Sequence, residues 1–138
     1  MMNVVIDSNI LFSALIRDSL TRIIIMEYEG FFIFPMYIFE ELEKHKIELQ
    51  RKSGLTEAEF NQLLGLLLSK VVIAPNELLK KHRKEAIETV KDIDLYDAPF
   101  IACTLAYPNS ILWTDDKKLK KLKNITALNT QEIICLLG

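Results

Sequence analysis

The sequence predicts an α/β fold: three layers, α/β/α, around a mostly parallel central sheet of about five strands. Three observations lead there. Short apolar, β-branched or aromatic runs recur along the chain, at residues 4–6, 31–34, 71–74, 111–113 and 125–128. Each is nearly continuous rather than alternating, the pattern of a strand covered on both faces. Longer amphipathic stretches with helix start and stop signals separate them.

In chain order, Val4, Val5 and Ile6 form the first run, which stops at Asp7 before a helical stretch carrying Leu11 and Phe12. Ser19 starts a helix that ends near Gly30, and residues 36–50 form another that runs out in the charged "QRKSG". Thr56, Glu57, Ala58 and Glu59 read as a capping box, followed by Phe60, Leu63, Leu64 and Leu67 at helical spacing. Pro75 and Asn76 open a further helix, and Pro99 falls in the first turn of one spanning about 97–106. Thr130 is the expected cap of the last helix.

At 138 residues the chain suits one domain, 1–138, with a sizeable core. Its 50% hydrophobic and 26% charged composition excludes a disordered chain. No apolar run approaches the ~18–20 residues of a membrane span, and "MMNVVID" has no basic n-region or cleavage site. Cys103 and Cys135 lack metal or disulfide spacing and read as core thiols of a reduced, cytoplasmic protein. The net charge of −2 argues against holding nucleic acid by charge alone. Basic side chains nevertheless cluster in "KKHRK" (residues 80–84) and in "KKLKKLK" (117–123), either as solvated helix faces or as phosphate contacts.

Carboxylates gather in four places. Asp7 ends the first strand, where a parallel sheet binds its ligands, and it is also a fair helix cap. Glu41 borders the buried stripe of its helix, about 60° from Ile38, whereas Glu40 and Glu43 fall on the far face. "DIDLYDAPFIACTLA" carries Asp94 and Asp97; Asp97 is either the cap of a strongly apolar helix or a group aimed at the sheet edge. In "LWTDDKK", Asp115 and Asp116 are more than one cap requires. Converging carboxylates repel unless a cation joins them. All-oxygen donors without a Cys or His pair select Mg²⁺ or Mn²⁺, ions suited to phosphodiester hydrolysis. His45 and His82 form no triad and read as helix-face residues. An aspartyl phosphotransferase would want a second Asp two residues after Asp7, where Asn9 stands. A receiver domain would want its acceptor Asp on a middle strand, and neither "FFIFP" nor "VVIAP" ends in one.

Taken in order, "VIDSNIL", "FEEL" after a proline, "DLYDAPFIACTLA" and "LWTDDKKL" resemble the PIN domain, a nuclease fold shared by VapC toxins and several RNA-processing enzymes. The resemblance spans almost the whole chain, although residues 52–91 carry no motif. It implies a metal-dependent endoribonuclease with Mg²⁺ or Mn²⁺, its acids falling on Asp7, Glu41, Asp97 and Asp116. Asp94 and Asp115 are further candidate ligands, with the choice between Asp115 and Asp116 open. Asn9 and Thr114 match the family's supporting polar positions, and Lys117, Lys118, Lys120 and Lys121 would hold RNA backbone. It further implies RNA as partner, an antitoxin if the chain is a toxin, and a homodimer. A PIN-like module that binds RNA or protein without cutting is the alternative. Trp113 departs from the family pattern, being bulkier than the usual aliphatic residue.

Overall fold

The computed structural model of the chain describes residues 2–17 and 19–137. Its centre is one five-stranded sheet in the order β3-β2-β1-β4-β5, with every pairing parallel. The strands are β1 (Asn3–Ile6), β2 (Phe32–Pro35), β3 (Val71–Ala74), β4 (Ser110–Trp113) and β5 (Ala127–Leu128). Around it lie α1 (Ser8–Ile16), α2 (Leu20–Glu27), α3 (Ile38–Ser53), α4 (Glu57–Leu68), α5 (Asn76–Lys80), α6 (Arg83–Val90), α7 (Ala98–Ala106), α8 (Lys117–Lys120) and α9 (Thr130–Leu137). A 3₁₀ turn, Leu95–Asp97, leads into α7.

Parallel crossovers are right-handed. Stepping from β1 to β2 to β3 toward one edge therefore lays α1–α4 on one face, where α1 packs on α2, α3 and α4. Returning from β3 across to β4 lays α5–α7 on the other face, with α7 against β1, β2 and β4. This is the expected three-layer sandwich. The direction of winding reverses between β1 and β4, which makes their carboxyl ends the topological switch point, where such sheets bind ligands.

The central strand is enclosed on both sides: Val4, Val5 and Ile6 are wholly buried, each contributing about 1.5–3 kcal/mol of apolar burial. Phe32, Phe34, Leu112 and Trp113 flank them in neighbouring strands. Trp113 fills its place fully, with its ring 5.9 Å from that of Phe32 and its indole N–H donating to Thr130 Oγ1 at 3.0 Å. That polar partner allows a residue larger than an aliphatic to be buried there.

The sequence-based boundaries shift in several places. The second strand begins at Phe32, and Phe31 is 60% exposed. The last strand shrinks to Ala127–Leu128, the two residues that pair with Leu112 and Trp113 at the sheet edge. The third helix starts at Ile38 and runs on to Ser53, where Gly54 adopts φ 71°, the left-handed stop that glycine permits. The single helix expected after Pro75 breaks into α5 and α6 at Lys81–His82. A continuous helix would stack Lys80 against Arg83 and Lys84 at i,i+3 and i,i+4, a like-charge pairing that disfavours it.

Two further expectations are corrected. Cys103 is buried, with its thiol pushed up to about 12 by burial, but Cys135 is exposed. Helix α9 buries Ile133, and Cys135 lies about 200° further round the helix. The cap of α9 is Asn129, not Thr130: Asn129 Oδ1 accepts from Glu132 N at 2.9 Å while Glu132 Oε1 accepts from Asn129 N at 3.0 Å. Among the described residues no helix is long and apolar enough to cross a membrane.

Candidate active site

The register of two strands builds the centre of the site. Ile6 pairs with Trp113, and the Asp7 N–H donates to the Trp113 carbonyl at 3.2 Å. The residues one step on, Asp7 and Thr114, therefore leave the sheet side by side at the switch point. Thr114 is fully buried and donates its hydroxyl to Asp7 Oδ2 at 2.6 Å, while Asp7 Oδ1 accepts the Asn9 N–H at 2.7 Å. Asp7 thus caps α1 and stands at the strand end at once, so the two sequence readings are both realised. Its own exposure is 7%, and burial raises its pKa above the ordinary carboxylate value. The hydrogen bonds from Thr114 and Asn9 oppose that rise; the charges of Asp116 and Asp115 add to it.

Thr114 Oγ1 also accepts the Asp116 N–H at 3.1 Å, so one hydroxyl ties Asp7 to the loop bearing the next acid. Asp116 is half-buried and caps α8 by accepting the Lys118 N–H at 2.8 Å. Its neighbour turns away. Asp115 is exposed and engages Thr130, accepting from its N–H at 2.8 Å and its hydroxyl at 3.0 Å. Asp115 therefore pins the loop to the first turn of α9, and its place beside Thr130 has a structural cause.

Asp97 and Glu41 approach from two helices. Asp97 precedes α7 but makes no capping hydrogen bond, because its backbone is already helical (φ −81°, ψ −13°). The capping role falls to Asp94, which accepts the Tyr96 N–H at 3.0 Å and holds the 3₁₀ turn. Freed of that role, the half-buried Asp97 carboxyl is pushed up to about 7. Burial is the largest cause, followed by the charges of Asp7, Asp94, Asp116 and Glu41. Glu41 lies half-buried on α3, while Glu40 and Glu43 are exposed, the arrangement its helical position dictates.

The acids share one field without closing on a point. Among the described residues, no three His, Cys, Asp or Glu side chains form a group that could hold a metal ion as they stand. The donor set fits a hard divalent cation: it is all oxygen, and Asp97 shows an excess of negative charge that a cation would relieve.

The supporting residues divide. Asn9 contributes its main-chain N–H, and its side chain is exposed. Lys117, Lys118 and Lys121 are exposed, whereas Lys120 pairs with Glu132 of α9 and spends its charge within the fold. Reading the sequence missed two contributors. His45, taken there as an ordinary helix-face residue, has Nε2 3.6 Å from Glu41 Oε2 and its ring 5.5 Å from that of Phe12. Its i,i+4 spacing from Glu41 was the available signal. Thr130, expected to be a cap, is instead the anchor for Asp115 and Trp113.

Comparison with curated proteins finds no match. The model of the PIN domain family matches residues 5–133, from the first strand to the last helix and across every acid described above. That span, with the all-parallel sheet and its switch-point aspartate, shows that the chain belongs to the PIN domain family.

Proposed function

We propose that this chain is a metal-dependent endoribonuclease, with Asp7, Glu41, Asp97 and Asp116 as the residues that would hold Mg²⁺ or Mn²⁺. PIN domains are generally metal-dependent nucleases. The observation that carries the reading for this chain is Asp97. A carboxyl that makes no capping bond, raised to about 7 by burial first and then by the charges of Asp7, Asp94, Asp116 and Glu41, suits a cation better than a scaffold.

A bound divalent ion supplies a Lewis acid for the phosphate oxygens and a water of lowered pKa. The residues of the chain do the rest. Thr114 and the Asn9 N–H fix both oxygens of Asp7, so that its carboxylate is oriented before any ligand arrives. Asp97, its carboxyl raised to about 7, is the acid whose ionised form a cation held there would favour most. Lys117, Lys118 and Lys121 face solvent beyond Asp116 and suit the backbone flanking the cut.

The test is cleavage of RNA in Mn²⁺ by the wild type and by Asp7→Asn. Asparagine keeps the shape of the side chain and one acceptor, for the Asn9 N–H, while its amide N–H₂ faces the Thr114 oxygen, which can turn to accept from it. A rate reduced by at least about 10³-fold is expected, several kcal/mol of lost stabilisation. Undiminished cleavage by the purified variant would overturn the assignment.

A further inference from the structure

Beside the carboxylates lies a groove of about 870 Å³ that the site residues do not occupy. Its floor and walls come from the turn before α3, from α5 and α6, and from the Leu95–Pro99 corner. Its lining neighbours the acids along the chain at two points: Glu40 precedes Glu41 on α3, and Ala98 and Pro99 follow Asp97. Lys44 Nζ sits 5.5 Å from the centre of the Tyr96 ring, which ties α3 to that corner.

The lining has two characters. Near the acids it is apolar and flat: Met36 and Leu95 are exposed by 48% and 58%, alongside the half-buried Tyr37 ring and Pro99. At the far wall stand Lys80 and Arg83, both exposed and neither in a salt bridge among the described residues. They are the two members of "KKHRK" that line the groove; Lys81 and Lys84, also exposed, do not. The break between α5 and α6 sets Lys80 and Arg83 at the groove. Glu40 and Glu77 also line it, Glu77 one turn before Lys80 on α5, so the cations at Lys80 and Arg83 are the groups that would attract a phosphate. The Glu40 and Glu77 carboxylates and Asn76 offer acceptors and donors for base edges.

An aromatic and apolar platform, a cationic wall and a lining that adjoins the acids along the chain describe a single ligand class. We propose that the groove is the subsite for an unpaired nucleotide adjoining the scissile phosphate of single-stranded RNA, its base against Tyr37, Leu95 and Pro99 and its outer phosphate at Lys80 and Arg83. The volume lies within the range of small-ligand sites and holds a splayed nucleotide, not the width of an A-form duplex. The inference deepens the nuclease reading and rests on it for the position of the cut, but not for binding.

The test is fluorescence anisotropy with a labelled oligouridine of about eight nucleotides in Mn²⁺, using Asp7→Asn as the uncut parent. Lys80→Gln/Arg83→Gln is expected to weaken binding at least fivefold and to flatten the salt dependence by about 0.7 per lost contact. Tyr37→Ala should weaken it at least about fivefold, with Tyr37→Phe restoring the parent value. A duplex of the same length should bind more weakly than the single strand. Parent-like binding by the groove variants overturns the subsite, as does a change in their self-association with RNA binding intact. RNA bound through the groove by a wild type that cuts nothing leaves the subsite standing and removes the nuclease reading. Cleavage and binding unaffected by the groove variants do the reverse, and absence of RNA binding removes both.

Discussion

The two halves of the acid cluster are held very differently. Asp7 and Asp116 share one buried hydroxyl, Thr114, and each accepts a main-chain N–H as well. Asp97 and Glu41 arrive from helices on opposite faces of the sheet, and Asp97 has no capping partner. One half is oriented by hydrogen bonds to a shared strand-end hydroxyl; in the other, Glu41 has His45 beside it at 3.6 Å and Asp97 makes no capping bond. The first half would serve as the template for a ligand and the second would respond to it.

The sharpest way to break this comparison is to remove the hinge of the rigid half. Thr114→Val keeps the shape but leaves Asp7 Oδ2 and the Asp116 N–H without their shared partner. RNA cleavage and Mn²⁺ affinity should each fall about 10–100-fold, the usual cost of losing a residue that orients a metal ligand. An unchanged Mn²⁺ isotherm would show that the template half does not need its hydroxyl.

Next in size is the responsive half. Asp97→Asn should weaken Mn²⁺ binding at least tenfold by calorimetry, about 1.4 kcal/mol. The same substitution should stabilise the cation-free chain. Because the folded-state pKa of Asp97 is raised to about 7, its ionisation opposes folding. Wild-type stability is then intact near pH 4 and declines as pH rises toward 7. At pH 8 the variant should be more stable by about 1–2 kcal/mol, solvent screening of a half-buried group reducing the full value. At pH 4 the difference should vanish. Denaturant melts in chelator at the two pH values test both statements, and equal stability at pH 8 would mean that Asp97 is not under repulsion.

The smallest effect is expected at the neighbouring aspartates. Asp116→Asn should lower Mn²⁺ affinity while keeping the α8 cap, since asparagine caps as well as aspartate. Asp115→Asn should leave Mn²⁺ affinity within about threefold and cost only about 0.5–1.5 kcal/mol of stability through its bond to Thr130. A reversal of the two would exchange their roles.

How much of this was legible beforehand follows from which interactions are local. The strands were visible because continuous apolar runs identify elements buried on both faces, and Thr56–Glu59 showed its capping box in the sequence itself. The four acids could be picked out one by one from their places after strands and at helix starts. Asn9 and Thr114 were named as supporting residues only through the family resemblance; which oxygen each would meet was not visible. Thr114 meets Asp7 across 107 residues, and only the pairing of β1 with β4 brings them together. The difference between Asp115 and Asp116 depends on where α9 docks, and adjacent identical residues hold no trace of that. Asp97 looked like a cap because Asp before Ala-Pro usually is one; the 3₁₀ turn transferred that task to Asp94. The groove was equally hidden, because its walls come from segments that meet only after the sheet has formed.

Trp113 carries a practical consequence. It is the only tryptophan of the chain, fully enclosed, and its indole donates to the threonine that also receives Asp115. It precedes Thr114 directly, one peptide bond from the hydroxyl that joins Asp7 to Asp116. The protein therefore has a single indole wired to its acid cluster, and its emission, excited apart from the four tyrosines, would follow entry of a cation in real time without any attached label.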